Sequence, residues 1–123
     1  MKIQLIRIYC DGSGSGPHSQ QSGFAWFRED TGEKHIEHVD ALTNNDAEYR
    51  AVISALKALR KDSHVEVLTD SLLVVSQLRG EYRILNPRLA KLASEVKTIV
   101  EINRLTVRLR WIPRAENRAG NLL

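Results

Sequence analysis

The sequence predicts an α/β fold, a mixed sheet of five strands with helices packed against it. Three observations carry that expectation. Short apolar runs rich in β-branched and aromatic residues alternate with stretches whose apolar residues recur at helical spacing, in the order βββαβααβα. The second and third runs are joined by the tight turn Asp30-Thr31-Gly32, which makes the first three strands an antiparallel meander. The length, 123 residues, suits one domain over 1–123 with a core of its own.

Each element has its own warrant. Residues 3–10 are apolar at nearly every position, as in a strand central to its sheet. Asp11-Gly12-Ser13-Gly14-Ser15-Gly16-Pro17 reads as a turn-rich loop. Residues 22–29 and 34–42 are the next two strands. A helix is expected over 45–61, where Ala51, Ala55, Leu56 and Leu59 share a face. Residues 64–69 form a fourth strand, followed by a short helix over 71–78. Asn86-Pro87 starts a helix, with Asn as the N-cap and Pro at the first position, and Leu89, Leu92, Ala93, Val96 and Val100 line one face to about Ile102. Residues 105–112 alternate as a fifth strand that Pro113 ends. A last helical stretch is expected from about Ala115.

Composition narrows the function classes. Hydrophobic residues make up 42% and charged residues 27%, the proportions of a soluble globular protein. No apolar run is long enough to span a bilayer, and the N-terminal run, interrupted by Arg7, reads as a strand rather than a leader. The single cysteine, Cys10, has no partner for an internal disulfide, which suits a cytoplasmic protein, and is expected to be a small buried hydrophobe. A net charge of +3 is compatible with a nucleic-acid partner without requiring one.

Three carboxylates carry the chemistry. Asp11 closes the first strand, Glu48 lies in the opening turns of the first long helix, and Asp70 closes the fourth strand. Strand ends and a helix start can converge in space, and converging carboxylates require a positive charge between them, which a hard divalent cation with oxygen ligands supplies. Each residue also has a plainer reading alone: Asp11 as a turn former, Glu48 as an acid favoured by the helix dipole, Asp70-Ser71 as an N-cap. Asn44 and Asn45 can be capping residues, Arg108 and Arg110 a solvated sheet face, and Trp26 and Trp111 core residues. The sequence carries no P-loop, nucleophile triad or Cys/His zinc pattern to compete.

Taken in order, Asp11-Gly12-Ser13, Thr43-Asn44-Asn45-x-Ala47-Glu48-Tyr49, Thr69-Asp70-Ser71 and Arg114-x-x-Asn117 resemble the type 1 ribonuclease H family over essentially the whole chain. The short link from Leu78 to Asn86 resembles the compact archaeal and bacterial forms, which lack a basic protrusion. The resemblance implies a ribonuclease H-like fold, three antiparallel strands followed by two parallel ones. It also implies hydrolysis of the RNA strand of RNA–DNA hybrids with two Mg²⁺ or Mn²⁺ ions. Asp11, as the bridging ligand, Glu48, Asp70 and the residue at position 121 would hold them. A monomer without a small-molecule cofactor is expected.

The chain departs from the family at the fourth acid, where alignment on Asn117 places Asn121. An amide keeps a carbonyl oxygen but no negative charge. That leaves two classes open: a hydrolase weakened at one ligand, or a nonhydrolytic hybrid-binding protein. The family's loop histidine has no counterpart among His18, His35, His38 and His64, so Arg114 is the phosphate-contacting candidate. Leu72 replaces an expected glutamine. The 2′-hydroxyl would be read near Asn44 and Asn45, with the backbone of Gly12, Ser13 and Gly14 close to the RNA and Thr43 on a DNA-strand phosphate.

Overall fold

A computed structural model describes residues 3–16 and 21–123, so Pro17 and His18 lie outside the described residues. The strands are β1 (Leu5–Ser13), β2 (Gly23–Arg28), β3 (Lys34–His38), β4 (His64–Thr69) and β5 (Thr106–Trp111). The helices are α1 (Asn44–Lys57), α2 (Leu72–Leu78) and α3 (Pro87–Ile102). The sheet order is β3-β2-β1-β4-β5. β1 pairs antiparallel with β2, β2 antiparallel with β3, β1 parallel with β4, and β4 parallel with β5. This is the expected mixed sheet, with β1 at its centre. Among the described residues, no helix is long and apolar enough to cross a membrane.

Side-chain alternation divides the sheet into two faces. Ile6, Ile8, Cys10, Val65 and Val67 meet Ala47, Ala51, Val52, Ala55 and Leu56 of α1, and α3 adds Leu89, Ala93, Val96 and Ile99. Burying a side chain such as Ile8 or Leu56 contributes about 1.5–3 kcal/mol, and the row of alanines lets α1 sit close to the strands. On the opposite face, Glu66 is buried between Arg7, Arg108 and Arg110 at 3.1, 3.8 and 3.8 Å. Arg108 and Arg110 are exposed, as expected of a solvated face.

Helix starts follow their caps. Thr43 accepts from Asp46 N while the Asp46 side chain accepts from Thr43 N. Ser71 caps α2 and Asn86 caps α3, with Pro87 in the first turn. The helix caps are therefore Thr43, Ser71 and Asn86: of the Asp70-Ser71 pair Ser71 is the cap, and Asn44 and Asn45 lie inside α1.

Several boundaries differ from the sequence expectation. β1 runs on through Ser13, because Asp11, Gly12 and Ser13 pair with Ala25, Phe24 and Gly23. Their glycine-rich composition suggests a turn, but the strand continues. The third strand stops at His38. The backbone turns at Ala41, whose φ of 62° is left-handed. α1 ends at Lys57, with Ala58 and Leu59 tightening into short-range bonds to Ala55 and Leu56. The last helical stretch is two single 3-10 turns, Arg114–Glu116 and Gly120–Leu122, separated at Asn117, whose extended backbone serves a side-chain contact described below. Trp26 is in the core, and its Nε1 donates to Ser54 Oγ at 3.0 Å. Trp111 is not in the core: it is 45% exposed, because its Nε1 is drawn to the Asp70 carbonyl at 3.1 Å at the rim of the sheet.

Candidate active site

β1 and β4 are parallel neighbours with Cys10 opposite Thr69, which brings Asp11, still paired within β1, beside Asp70, the first residue past β4. Glu48 joins them from the first turns of α1. One carboxylate oxygen from each of Asp11, Glu48 and Asp70 lies within 4.8 Å of the others. Gly12 makes this closeness possible. Its amide donates to Glu48 Oε1, and a Cβ built there would run into the Ala47–Glu48 backbone. Gly12→Ala is therefore expected to cost about 2 kcal/mol or more, as overpacking does, and to displace Glu48. Thermal unfolding at unchanged stability would refute that packing argument.

Burial and mutual repulsion set the electrostatics. Glu48 is pushed up to about 8, first by burial and then by the Asp11 charge, with the Gly12 amide opposing. Asp11 is pushed up to about 6, by burial and then by Asp70, while Arg114 and the Gly12 amide pull the other way. Both folded values exceed the ordinary 4.5 and 3.8, so the folded chain binds more protons than the unfolded one. The stability these groups contribute is full in acid and is lost as pH rises through about 6 for Asp11 and about 8 for Glu48. A divalent cation replaces those protons, so its stabilisation should be larger at pH 8 than at pH 5 (roughly the span of the two shifts). Melting curves with chelator and with Mn²⁺ check this; an equal Tm increment at both pH values would count against cation binding here.

Asn117 holds the third acid. Its buried Nδ2 donates to the Cys10 carbonyl at 2.8 Å and to Asp70 Oδ1 at 3.0 Å, while its Oδ1 accepts from Ala119 N at 3.1 Å. In the sequence, Asn117 marks only the spacing from Arg114 to position 121. A lone asparagine among charged residues carries no pattern that names its partners. Burial drives the Cys10 thiol far above its ordinary pKa, which suits an inert core residue.

The remaining candidates fall around this cluster in varied settings. A Cβ on Gly120 would stand 3.7 Å from Asp11 Oδ2, so the segment carrying the exposed Asn121 passes beside Asp11. Arg114 is exposed, and its charge is felt at Asp11. Asn44 Oδ1 accepts from Gly14 N at 2.7 Å, tying the glycine segment after Ser13 to the start of α1, with exposed Asn45 next to it. The Thr43 hydroxyl is engaged as the α1 cap. Leu72, at the position of the expected glutamine, is exposed and apolar. A groove of about 310 Å³ lined by Phe24, Ile53 and Leu92 lies elsewhere. Asp11, Glu48 and Asp70 are each half-buried.

Comparison with known proteins agrees with this arrangement. The RNase H family matches residues 4–121. The Bifunctional protein Rv2228c of Mycobacterium tuberculosis is 39% identical over 81 residues, 64% of this chain and 22% of that protein. A Ribonuclease H of Polynucleobacter asymbioticus is 46% identical over 67 residues, 54% of this chain and 44% of that protein. The matched stretches thus cover less than half of either relative. Among solved structures, LC11-RNase H1 in complex with RNA/DNA hybrid superposes with a TM-score of 0.86 at 30% identity, covering 95% of this chain and 92% of that one. RNase H1 from Halobacterium salinarum superposes with a TM-score of 0.83 at 27% identity, covering 98% and 94%. The family match spans nearly the whole chain and the mixed-sheet fold superposes on RNase H1 structures: the chain belongs to the RNase H family.

Proposed function

We propose that this chain is a single-domain, monomeric, cytoplasmic endoribonuclease that hydrolyses the RNA strand of RNA–DNA hybrids, slowed by the amide at position 121. The observation that carries this reading is the set of Asp11, Glu48 and Asp70 oxygens within 4.8 Å, in a chain of the RNase H family. The solved neighbour bound to RNA/DNA hybrid supports the substrate class.

The donor set fits hard divalent ions. All three acids offer oxygen, and burial together with their mutual repulsion raises the pKa of Asp11 and Glu48, a cost that a bound cation would relieve. Asp11, Glu48, Asp70 and the Asn121 carbonyl would hold two Mg²⁺ or Mn²⁺ ions, Asp11 between them. When bound, such a pair supplies an activated water and charge neutralisation at the leaving oxygen. The chain's own groups position the substrate. The backbone of Gly12, Ser13 and Gly14 lies where the RNA strand can approach, and Asn44 and Asn45 offer donors and acceptors to the 2′-hydroxyl. The Thr43 hydroxyl, which accepts from Asp46 N, still has its own hydrogen for a DNA-strand phosphate. Arg114 can meet the scissile phosphate.

The test is divalent-ion-dependent cleavage of an end-labelled hybrid beside single-strand and DNA-duplex controls. Cleavage should disappear with chelator and when the ribonucleotides are replaced by deoxyribonucleotides. Binding should weaken with salt and depend little on base sequence. Equal cutting of duplex DNA would refute the hybrid assignment. Hybrid binding with no cleavage even in Asn121→Asp would favour the nonhydrolytic binding protein instead.

A further inference from the structure

The segment after β5 has no helix or strand of its own beyond two single turns, so its position over the sheet depends on side-chain anchors. Asn117 is one anchor, through Cys10 and Asp70. The next residue is another. The Arg118 guanidinium carbon lies 4.4 Å from the Phe27 ring centroid and 5.7 Å from that of Tyr9. Its Nη1 is 3.8 Å from Glu29 Oε2, which also accepts the Tyr9 hydroxyl at 3.1 Å. Tyr9 and Phe27 are cross-strand partners on β1 and β2, with ring centroids 6.3 Å apart. A cation held by two rings and a carboxylate keeps its place better than one held by either alone.

This anchor sits between the parts of the segment that reach the acids. Asn117 precedes it and meets Asp70; Gly120 follows and lies beside Asp11. Ala119, between them, is wholly buried, so a shift of Arg118 cannot be absorbed by local slack. We infer that Arg118 is a positioning residue for the fourth metal ligand. Stacked on Phe27 and Tyr9 and paired with Glu29, it sets where residue 121 stands relative to Asp11. This rests on the reading of position 121 as a ligand.

Mn²⁺ binding to the protein alone, measured by calorimetry, tests it on the parent, Arg118→Ala, Asn121→Asp and the double variant. On the parent background Asn121→Asp should tighten Mn²⁺ by about tenfold or more, and on the Arg118→Ala background by about threefold or less, the scale expected for an outer-shell support. Arg118→Lys, which keeps a cation over the rings, should recover part of the difference. In cleavage assays Arg118→Ala should lower kcat and leave the KM for hybrid unchanged. The same Asn121→Asp gain on both backgrounds overturns the inference, even if Arg118→Ala melts earlier, because a merely structural anchor would do only that. If Asn121→Asp tightens Mn²⁺ on neither background, the fourth-ligand reading itself fails and takes this inference with it. Should Arg118→Ala not fold, Phe27→Leu serves in the same cycle: it removes the ring and keeps an apolar side chain, and an undiminished gain there overturns the proposal equally.

Discussion

Asn121→Asp is expected to raise the rate of hybrid cleavage by about 100-fold or more, the scale on which a single electrostatic partner of a developing charge acts. The segment bearing Asn121 passes beside Asp11, since a Cβ on Gly120 would lie 3.7 Å from Asp11 Oδ2. An amide at 121 offers a carbonyl oxygen without a negative charge, so an ion that 121 and Asp11 would share on the proposed reading would be held weakly and placed loosely. The other proposed ion would keep full carboxylates, so the chain as it stands should bind one ion and hybrid and cleave slowly. The carboxylate should also shift the metal requirement to lower concentration, which an activity titration in Mg²⁺ and Mn²⁺ reads directly. It adds a fourth like charge to Asp11, Glu48 and Asp70, so the variant should melt earlier than the parent in chelator and later in Mn²⁺. Brisk cleavage by the parent with no gain in the variant would show that 121 is not the fourth ligand.

The three acids were legible in the sequence because each lies where a local pattern ends. Apolar runs stop at Asp11 and Asp70, and helical periodicity begins just before Glu48. Such patterns are written in near-neighbour spacing, and parallel pairing of β1 with β4 then brings the first two together. What stayed hidden depends on distant partners. Asn117 meets Asp70 across 47 residues and Cys10 across 107, through side-chain hydrogen bonds that leave no periodicity. The Arg118 stack on Phe27 is equally silent. Alternation places Trp111 on a strand but does not say what covers its face, and at this rim it stays 45% exposed. Gly12 suggested a turn because glycine is rare in strands; the reason it sits in β1 is the α1 backbone packed against it, visible only in three dimensions.

Asp11→Asn, made on the Asn121→Asp background so that the loss is measurable, should lower cleavage by about 1,000-fold or more, because on the proposed reading Asp11 is the acid that would serve both ions. The same substitution should leave the fold intact and stabilise the metal-free chain near pH 8. Asp11 is among the charges that hold Glu48 up at about 8, second only to burial itself. With that charge gone, Glu48 should titrate closer to its ordinary 4.5 while staying above it, since burial and Asp70 remain. The fall in stability between acid and alkaline pH should therefore be shallower in the variant than in the parent, as the folded chain then retains fewer excess protons. Added Mn²⁺ should raise the Tm of the parent strongly and of the variant little. A carboxyl titration of Glu48 by NMR reads the electrostatic part alone, independent of catalysis. An unchanged Glu48 titration would mean that the two carboxylates do not face each other in solution. An unchanged cleavage rate would remove Asp11 from the centre of the site.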